Sequence, residues 1–304
     1  MPNHLSSGNL LADRRYEWAR DCEAKGDLAG AGDLLMQALE LAPRFASAWF
    51  ALGEVRDRMG ERDAAVAAFA KACEADPQDR HGAGLHLARL GAAPPQAMPE
   101  SYVRALFDGY ALKFDAALTE GLGYRAPELL LRAVKAARPE VKFGAALDLG
   151  CGTGLAGAAF RPFTDRLVGV DLSPEMLAQA RGKGLYDRLI EDDVTRFLAG
   201  EGAIGARFHL VIAADVFVYL DTLAPVLRLA AQVLDGLLAF TVETHEGDGV
   251  VLRDTLRYAH GEAHVRAALR SAGLRLISLD SASTRAEKGV AVPGLIVVAQ
   301  MPSS

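Results

Sequence analysis

The stretch A-L-D-L-G-C-G-T-G-L-A-G, residues 146–157, decides how the rest of the chain is read. Apolar residues of strand character end at Asp148, and Gly150, Gly152 and Gly154 then lead into a helical run. Glycines let the backbone turn sharply and let a ligand approach bare main chain. The start of the following helix offers free N–H groups and partial positive charge. Two ligand readings share these features. From Gly152 to Gly157 the residues match the dinucleotide pattern G-x-G-x-x-G, which is weak by itself. Asp148 extends the match upstream to D-x-G-x-G-x-G. A carboxylate at the strand end suits a ligand with a positive amino group and would repel a pyrophosphate.

Downstream, strand and helix patterns alternate. Strands are expected near 145–149, 166–170, 187–191, 208–213, 236–243, 274–282 and 292–299. Helices are expected near 153–160, 174–181, 195–199, 222–234 and 262–272, after helical stretches at 102–115 and 126–137. Such alternation predicts a parallel sheet covered on both faces, with ligands beyond the C-terminal strand ends. Asp171 closes the second strand, where a carboxylate accepts two hydrogen bonds from ribose hydroxyls. Ser173, Pro174 and Glu175 then form a helix start: N-cap, first position and acid in the first turn. The third strand, D-R-L-I-E, runs into Asp192, Asp193 and Val194. Asp193 fits the register of an acceptor for an adenine amino group, with Val194 packing on the ring and Asp192 solvated.

These acids and the glycine turn resemble class I S-adenosylmethionine-dependent methyltransferases over about residues 101–300. F-H-L-V-I-A-A-D-V-F-V-Y-L looks like that family's fourth strand and loop. V-L-D-G-L-L-A-F-T-V-E looks like its fifth strand, with Asp235, Gly236 and Leu237 replacing the usual Pro-Gly-Gly turn. The resemblance implies an α/β doubly wound, Rossmann-like, seven-stranded domain. It assigns Asp148, Gly150, Cys151, Gly152 and Gly154 to the methionine part of the cofactor. Asp171 and Leu172 fall to the ribose, Asp193 and Val194 to the adenine, and Asp215 to the pocket near the methionine end. Tyr110 could close over the cofactor or pack in the core.

Upstream of the proline-rich segment G-A-A-P-P-Q-A-M-P at 91–99, the chain is helical and rich in alanine. Trp49, Leu52, Gly53, Gly60, Ala65, Phe69, Ala72 and Pro77 sit at spacings that resemble the 34-residue tetratricopeptide repeat. Small Gly53 and Ala65 let two helices approach, Trp49 and Phe69 fill the space between them, and Pro77 ends the second helix. One period earlier stand Arg15, Trp18, Ala19, Gly26, Ala31, Leu35, Ala38 and Pro43, a degenerate first repeat. The division expected is therefore an all-α repeat domain over 1–93, a linker over 94–100 and a methyltransferase domain over 101–304. The repeats span about 12–45 and 46–79, with a cap over 80–91. F-D-G-Y-A-L-K-F-D, R-Y-A-H at 257–260 and V-P-G-L-I-V-V-A look like a bacterial subgroup of predicted enzymes that joins the two domains.

Composition narrows the function classes. The 33 Lys and Arg against 39 Asp and Glu leave a formal charge of −6. Residues 1–95 hold 11 basic and 14 acidic side chains and the rest 22 and 25, so neither part has the basic excess of a nucleic-acid binder. The loop after strand four reads A-D-V-F-V-Y, not the N-P-P-Y or D-P-P-Y that clamps a base amine, and no Pro-Cys nucleophile is present. Three scattered cysteines suit neither a disulfide framework nor a cysteine-rich zinc site, so a reducing cytoplasm is expected and no metal. No secretory leader pattern and no apolar run of membrane-spanning length is read.

The expected activity is methyl transfer to an O or N nucleophile of a small molecule, with S-adenosylhomocysteine as product. The repeats would cover the site, dimerise or meet a protein partner. Alternatives are a protein or peptide methyltransferase whose repeats recruit the substrate, an NAD-dependent oxidoreductase and a non-catalytic scaffold. Candidate bases for a protonated nucleophile are His245 after the fifth strand, His260 before the last helix, and Tyr219. His260 could instead be an exposed cap, Tyr219 a wall residue, and His209 is read as structural.

Overall fold

The computed structural model describes residues 6–116, 118, 121, 123–139, 142–287 and 289–302. By its contacts the chain forms two units. One runs to Gly109 and takes in Asp254–Leu256; the other comprises Tyr110–Arg253 and the chain from Arg257 onward.

In the first unit, α1 (Leu10–Ala24) pairs with α2 (Leu28–Leu41), and α3 (Ala46–Arg58) with α4 (Arg62–Ala75). The shorter α5 (Ala83–Arg89) packs on α4, and α6 (Glu100–Asp108) follows the proline-rich stretch. The helix starts follow local chemistry: the side chains of Asn9 and Asp27 accept backbone N–H groups of α1 and α2. The expected repeat contacts form. A methyl group on Gly53 would stand 2.6 Å from the Phe69 ring, which is fully buried, as is Ala65. Trp49 is only partly buried and donates its indole N–H to the Pro43 carbonyl at 2.8 Å. Trp18, the counterpart of buried Leu52, is 53% exposed.

Gly53→Ala is expected to destabilise this unit by about 1–2 kcal/mol. Overpacking costs roughly 1–3 kcal/mol, against up to about 1 kcal/mol gained in helix propensity. Both tryptophans, Trp18 and Trp49, lie in this unit, so urea unfolding followed by tryptophan fluorescence reads it directly. An unchanged midpoint would contradict the tight Gly53–Phe69 packing.

The second unit opens with a short turn of helix, α7 (Phe114–Ala116), and α8 (Ala126–Ala137). The expected helix over 102–115 is broken. α6 ends at Asp108, and Ala111–Lys113 forms a separate 3-10 turn. Then come β1 (Phe143–Leu149), α9 (Leu155–Phe160), β2 (Thr164–Asp171), α10 (Pro174–Lys183), β3 (Arg188–Glu191), α11 (Val194–Ala203) and β4 (Phe208–Ala213). They are followed by α12 (Ala224–Val233), β5 (Leu234–Glu243), β6 (Val250–Leu252), β7 (Tyr258–His260), α13 (Glu262–Ser271) and β8 (Arg275–Ser281). A small hairpin, β9 (Ala286–Glu287) and β10 (Val290–Ala291), precedes β11 (Gly294–Gln300).

The main sheet runs β3-β2-β1-β4-β5-β11-β8. The pairs from β3 to β5 are parallel, whereas β11 lies antiparallel to both β5 and β8. An all-parallel sheet is therefore not what forms; the return from β8 through the β9–β10 hairpin lays β11 antiparallel between β5 and β8. Two apolar layers cover the sheet. Leu147, Val168, Val211 and Phe240 face α11–α13, while Ala146, Leu167, Ile212 and Val298 face α8 and α9. The fifth strand starts two residues earlier than expected and takes in Asp235 and Gly236. They lie inside β5, where a methyl on Gly236 would press on the His209 backbone. R-Y-A-H contributes β7, which pairs with the end of β5 at Glu243–Ala259. The C-terminal ends of β1, β2, β3, β4 and β5 thus share one edge of the sheet, with the chemistry-bearing acids at that edge.

Candidate active site

At the centre of that edge, Gly150, Gly152 and Gly154 all take positive φ, at +60°, +52° and +91°. Only glycine adopts such a run without strain. The Cys151 N–H bonds the Val170 carbonyl at 3.0 Å, pinning the turn to β2. A methyl on Gly150 would strike Val216, but one on Gly152 would meet nothing nearer than Phe114 at 4.0 Å. Gly152 thus presents bare backbone to open space. Asp171 is the strut beneath. Its Oδ2 accepts the Gly152 N–H at 2.8 Å and its Oδ1 the Ser173 N–H at 2.9 Å. The two bonds tie the end of β2 to the glycine turn and to the start of α10. Leu172 follows it, partly buried.

Asp148 is 1% exposed, and its Oδ1 has no hydrogen-bond partner among the described residues. Oδ2 accepts the hydroxyl of Tyr186 at 2.6 Å. Burial, reinforced by the charge of Asp171 and opposed by the Tyr186 hydrogen bond, pushes the Asp148 carboxyl up to about 7. A buried carboxylate with one bare oxygen is the acceptor that a positively charged ligand group completes. Burial likewise raises the Cys151 thiol well above its usual range, so it remains a neutral wall of the turn.

Tyr186 was not singled out by the sequence, and it explains the glycine spacing. Methyl groups on Gly154 and Gly169 would approach its ring at 3.1 and 2.9 Å, and one on Gly157 would overlap the phenol oxygen. The third glycine of the apparent G-x-G-x-x-G pattern therefore makes room for a tyrosine. No phosphate is needed to account for it.

At the end of β3, Asp193 caps α11: its Oδ1 accepts the N–H groups of Thr195 and Arg196 at 2.9 and 3.0 Å. Val194 is buried beside it. Asp192 is not solvated as expected, since it pairs with the Arg196 guanidinium and accepts the Asp193 N–H. Above the turn, Asp115 accepts the Thr153 hydroxyl and pairs with Lys183 at 2.5 Å. Phe114 and Asp115 are thus the residues of this segment that meet the turn. Tyr110 is 45% exposed and lies edge-on to Phe114, so it does not pack in the core.

Beyond β4 and β5 the edge carries a charged cluster. Asp215 adopts φ +56°, unusual for a residue with a side chain, and exchanges hydrogen bonds with Thr241 at 2.8 and 2.7 Å. Arg285, only 4% exposed, bonds Asp215 at 3.1 Å, Glu287 at 3.1 Å and Glu243. Arg257 pairs with Glu287 at 2.7 Å, and Arg253 lies 3.5 Å from Glu243. Three guanidinium groups against three carboxylates leave this cluster neutral and committed. Tyr124 lies in the field of both Asp148 and Asp215, and burial raises its phenol well above the usual range.

Both histidine candidates are corrected. His245 Nδ1 accepts the Gly247 N–H at 3.1 Å and Nε2 reaches the Gly249 carbonyl at 3.3 Å, so both nitrogens staple their own loop. His260 is no exposed cap. It is fully buried in β7, its Nε2 against the Phe217 carbonyl at 3.2 Å, and burial lowers it to about 4. Tyr219 is partly buried and hydrogen-bonded to Arg257. His209 accepts the Ala145 N–H within the sheet, as a structural residue does. Among the described residues, no three His, Cys, Asp or Glu side chains are grouped to hold a metal ion.

Comparison with known proteins places this geometry. Residues 147–236 match the family described as a methyltransferase domain, and residues 46–79 match the tetratricopeptide repeat. Over 85 residues the chain is 44% identical to methyltransferase-like protein 27 of Homo sapiens, covering 27% of this chain and 34% of that protein. The chain thus spans about a third of the length of that relative. A solved structure, the 1,6-didemethyltoxoflavin-N1-methyltransferase of Burkholderia thailandensis, superposes with a TM-score of 0.51 at 20% identity, over 69% of this chain and 93% of that one. A methyltransferase of Clostridium acetobutylicum gives 0.49 at 17% identity, over 65% of this chain and 100% of that one.

Proposed function

We propose, for a chain that joins a tetratricopeptide repeat to a methyltransferase domain of class I fold, that the second unit binds S-adenosylmethionine and transfers its methyl group to an O or N nucleophile of a small molecule. The observation that carries this reading is the buried Asp148 carboxylate with its bare Oδ1, set beside the open backbone of Gly152. That pair fits an ammonium group flanked by a carboxylate, which is the amino acid end of the cofactor. Asp171 at the end of β2 and Asp193 at the end of β3 would take the ribose and the adenine amine.

When bound, the cofactor supplies an electrophilic methyl on a sulfonium. The chain's own work is alignment and exclusion of water, since an in-line displacement is sensitive to the approach of the nucleophile. Tyr124 and Tyr219 offer hydroxyls on the acceptor side. Asp215 and Glu243 are held by arginines, His245 is stapled to its own loop, and His260 is buried in β7 with its basicity lowered by burial. The acceptor therefore brings a nucleophile that needs little help from a strong base. The neutral charge balance of the cluster favours a compact polar acceptor over a strongly charged polymer. We place the repeats in a packing or association role, and the cytoplasm as the site of action. No described helix is long and apolar enough to cross a membrane.

Calorimetry with S-adenosylhomocysteine and with NAD tests the reading. Micromolar binding of the first and none of the second is expected. NAD binding without S-adenosylhomocysteine binding would reverse it.

A further inference from the structure

We propose that Tyr186 is a positioning residue for the amino acid end of the cofactor: its phenol holds one oxygen of Asp148 so that the other faces the incoming ammonium. This rests on the cofactor reading above and deepens it.

The hydrogen bonds around Tyr186 run in one direction, from Gly157 to Asp148. Gly157 is the third residue of α9, and its N–H is one of the donors that an α-helix leaves unpaired at its start. That N–H donates to the Tyr186 oxygen. The phenol proton is thereby directed onward to Asp148 Oδ2 at 2.6 Å. The relay ends at Asp148 Oδ1, buried and without a partner among the described residues. The slot for the ring is cut by glycine on three separate elements: Gly154 in the turn, Gly157 in α9 and Gly169 in β2. A residue accommodated at three backbone positions and donating to a single carboxylate has a role beyond filling space.

The charged and titratable groups around Asp148 are Tyr186, Asp171, Cys151 and Tyr124. Of the two that act on its carboxyl, Asp171 disfavours the charge and Tyr186 favours it. With that carboxyl near 7, a neutral solution holds it partly protonated. An arriving ammonium needs the ionised form, so binding releases protons. Affinity should then rise with pH through neutrality, by roughly tenfold between pH 6 and 8. Removing the phenol proton donor moves that rise to higher pH.

The experiment compares full-length wild type with Tyr186→Phe by calorimetry from pH 6 to 8.5. The probes are S-adenosylhomocysteine and 5′-methylthioadenosine, which lacks the amino acid part. Tyr186→Phe is expected to lose about tenfold in S-adenosylhomocysteine affinity at pH 7, recover toward pH 8.5, and bind methylthioadenosine as wild type does. Gly157→Ala, which drives a methyl into the phenol oxygen, should show the same signature. An unchanged affinity and pH profile in Tyr186→Phe overturns the proposal. Equal loss of both probes also overturns it, because the tyrosine would then only support the turn. If wild type binds neither probe, the cofactor reading itself falls and takes the proposal with it.

Discussion

Asp148→Asn is expected to weaken S-adenosylhomocysteine binding by roughly 30- to 100-fold while making the ligand-free protein more stable at pH 8. The binding loss is that of one charge-assisted hydrogen bond in a buried site, about 1.5–3 kcal/mol. The gain in stability has the opposite sign because the folded protein raises this carboxyl from 3.8 to about 7. A raised carboxyl means that the native state binds more protons than the unfolded chain between those two values. Stability therefore falls as pH rises from about 4 toward 7, and stays lowered above 7. Three units correspond to a ceiling of about 4 kcal/mol. The amide removes that cost but leaves its buried NH2 group in need of a partner, at about 1–3 kcal/mol. A net gain of roughly 1–3 kcal/mol at pH 8 is expected, turning into a net loss of about 1–3 kcal/mol near pH 4, where the carboxyl is protonated and only the amide's penalty remains. Thermal unfolding at the two pH values, alongside calorimetry, checks both halves. A variant destabilised at pH 8 would show that Asp148 is not a strained acid awaiting a cation.

Arg285→Met is expected to destabilise the second unit by about 3–5 kcal/mol, the usual consequence of removing one partner from a buried ion cluster. The loss exceeds that of a surface pair because Arg285 and Glu243 are both buried, at 4% and 3% exposure. Asp215 holds its left-handed backbone partly through the same guanidinium. Arg285→Lys should recover only part of the loss, since an ammonium cannot present the fork that now reaches three carboxylates. Adding Glu243→Gln to Arg285→Met should cost much less than the sum of the single changes, which is the mark of direct coupling. Circular dichroism during urea unfolding follows both units, and the transition it shows that tryptophan fluorescence does not belongs to this one, since both tryptophans lie in the repeats. A wild-type midpoint for Arg285→Met would mean that the cluster is not holding the acceptor side together.

The first of these predictions begins from a residue visible in the sequence, and the second from one that was not. Asp148, Gly150, Gly152, Gly154 and Asp171 were legible because each is dictated locally. A strand ends in an acid, a turn demands positive φ, and the next helix starts at once. Ser173 was legible as a helix start for the same reason, and Gly53 with Phe69 because a 34-residue period repeats their spacing; that Asp193 caps α11 was not read. The histidines misled because a side chain near a strand end says nothing about where its ring nitrogens point. His245 turned onto its own loop, and His260 was drawn into β7, too short a strand to stand out in the pattern.

By itself, then, the amino-acid order determined the two-part architecture, the sequence of the longer strands and helices, and a glycine turn of positive φ after β1. Those features rest on periodicity, capping and glycine conformation, all of which act over a few residues. Only the tertiary structure decided that Tyr186 fills the space left by three glycines, and that Arg285 gathers Asp215, Glu243 and Glu287. The Tyr186–Asp148 bond joins residues 38 apart and the Arg285–Asp215 bond residues 70 apart. No local pattern encodes such partners. The folding of the sheet brings them together, and burial gives their pairing its strength.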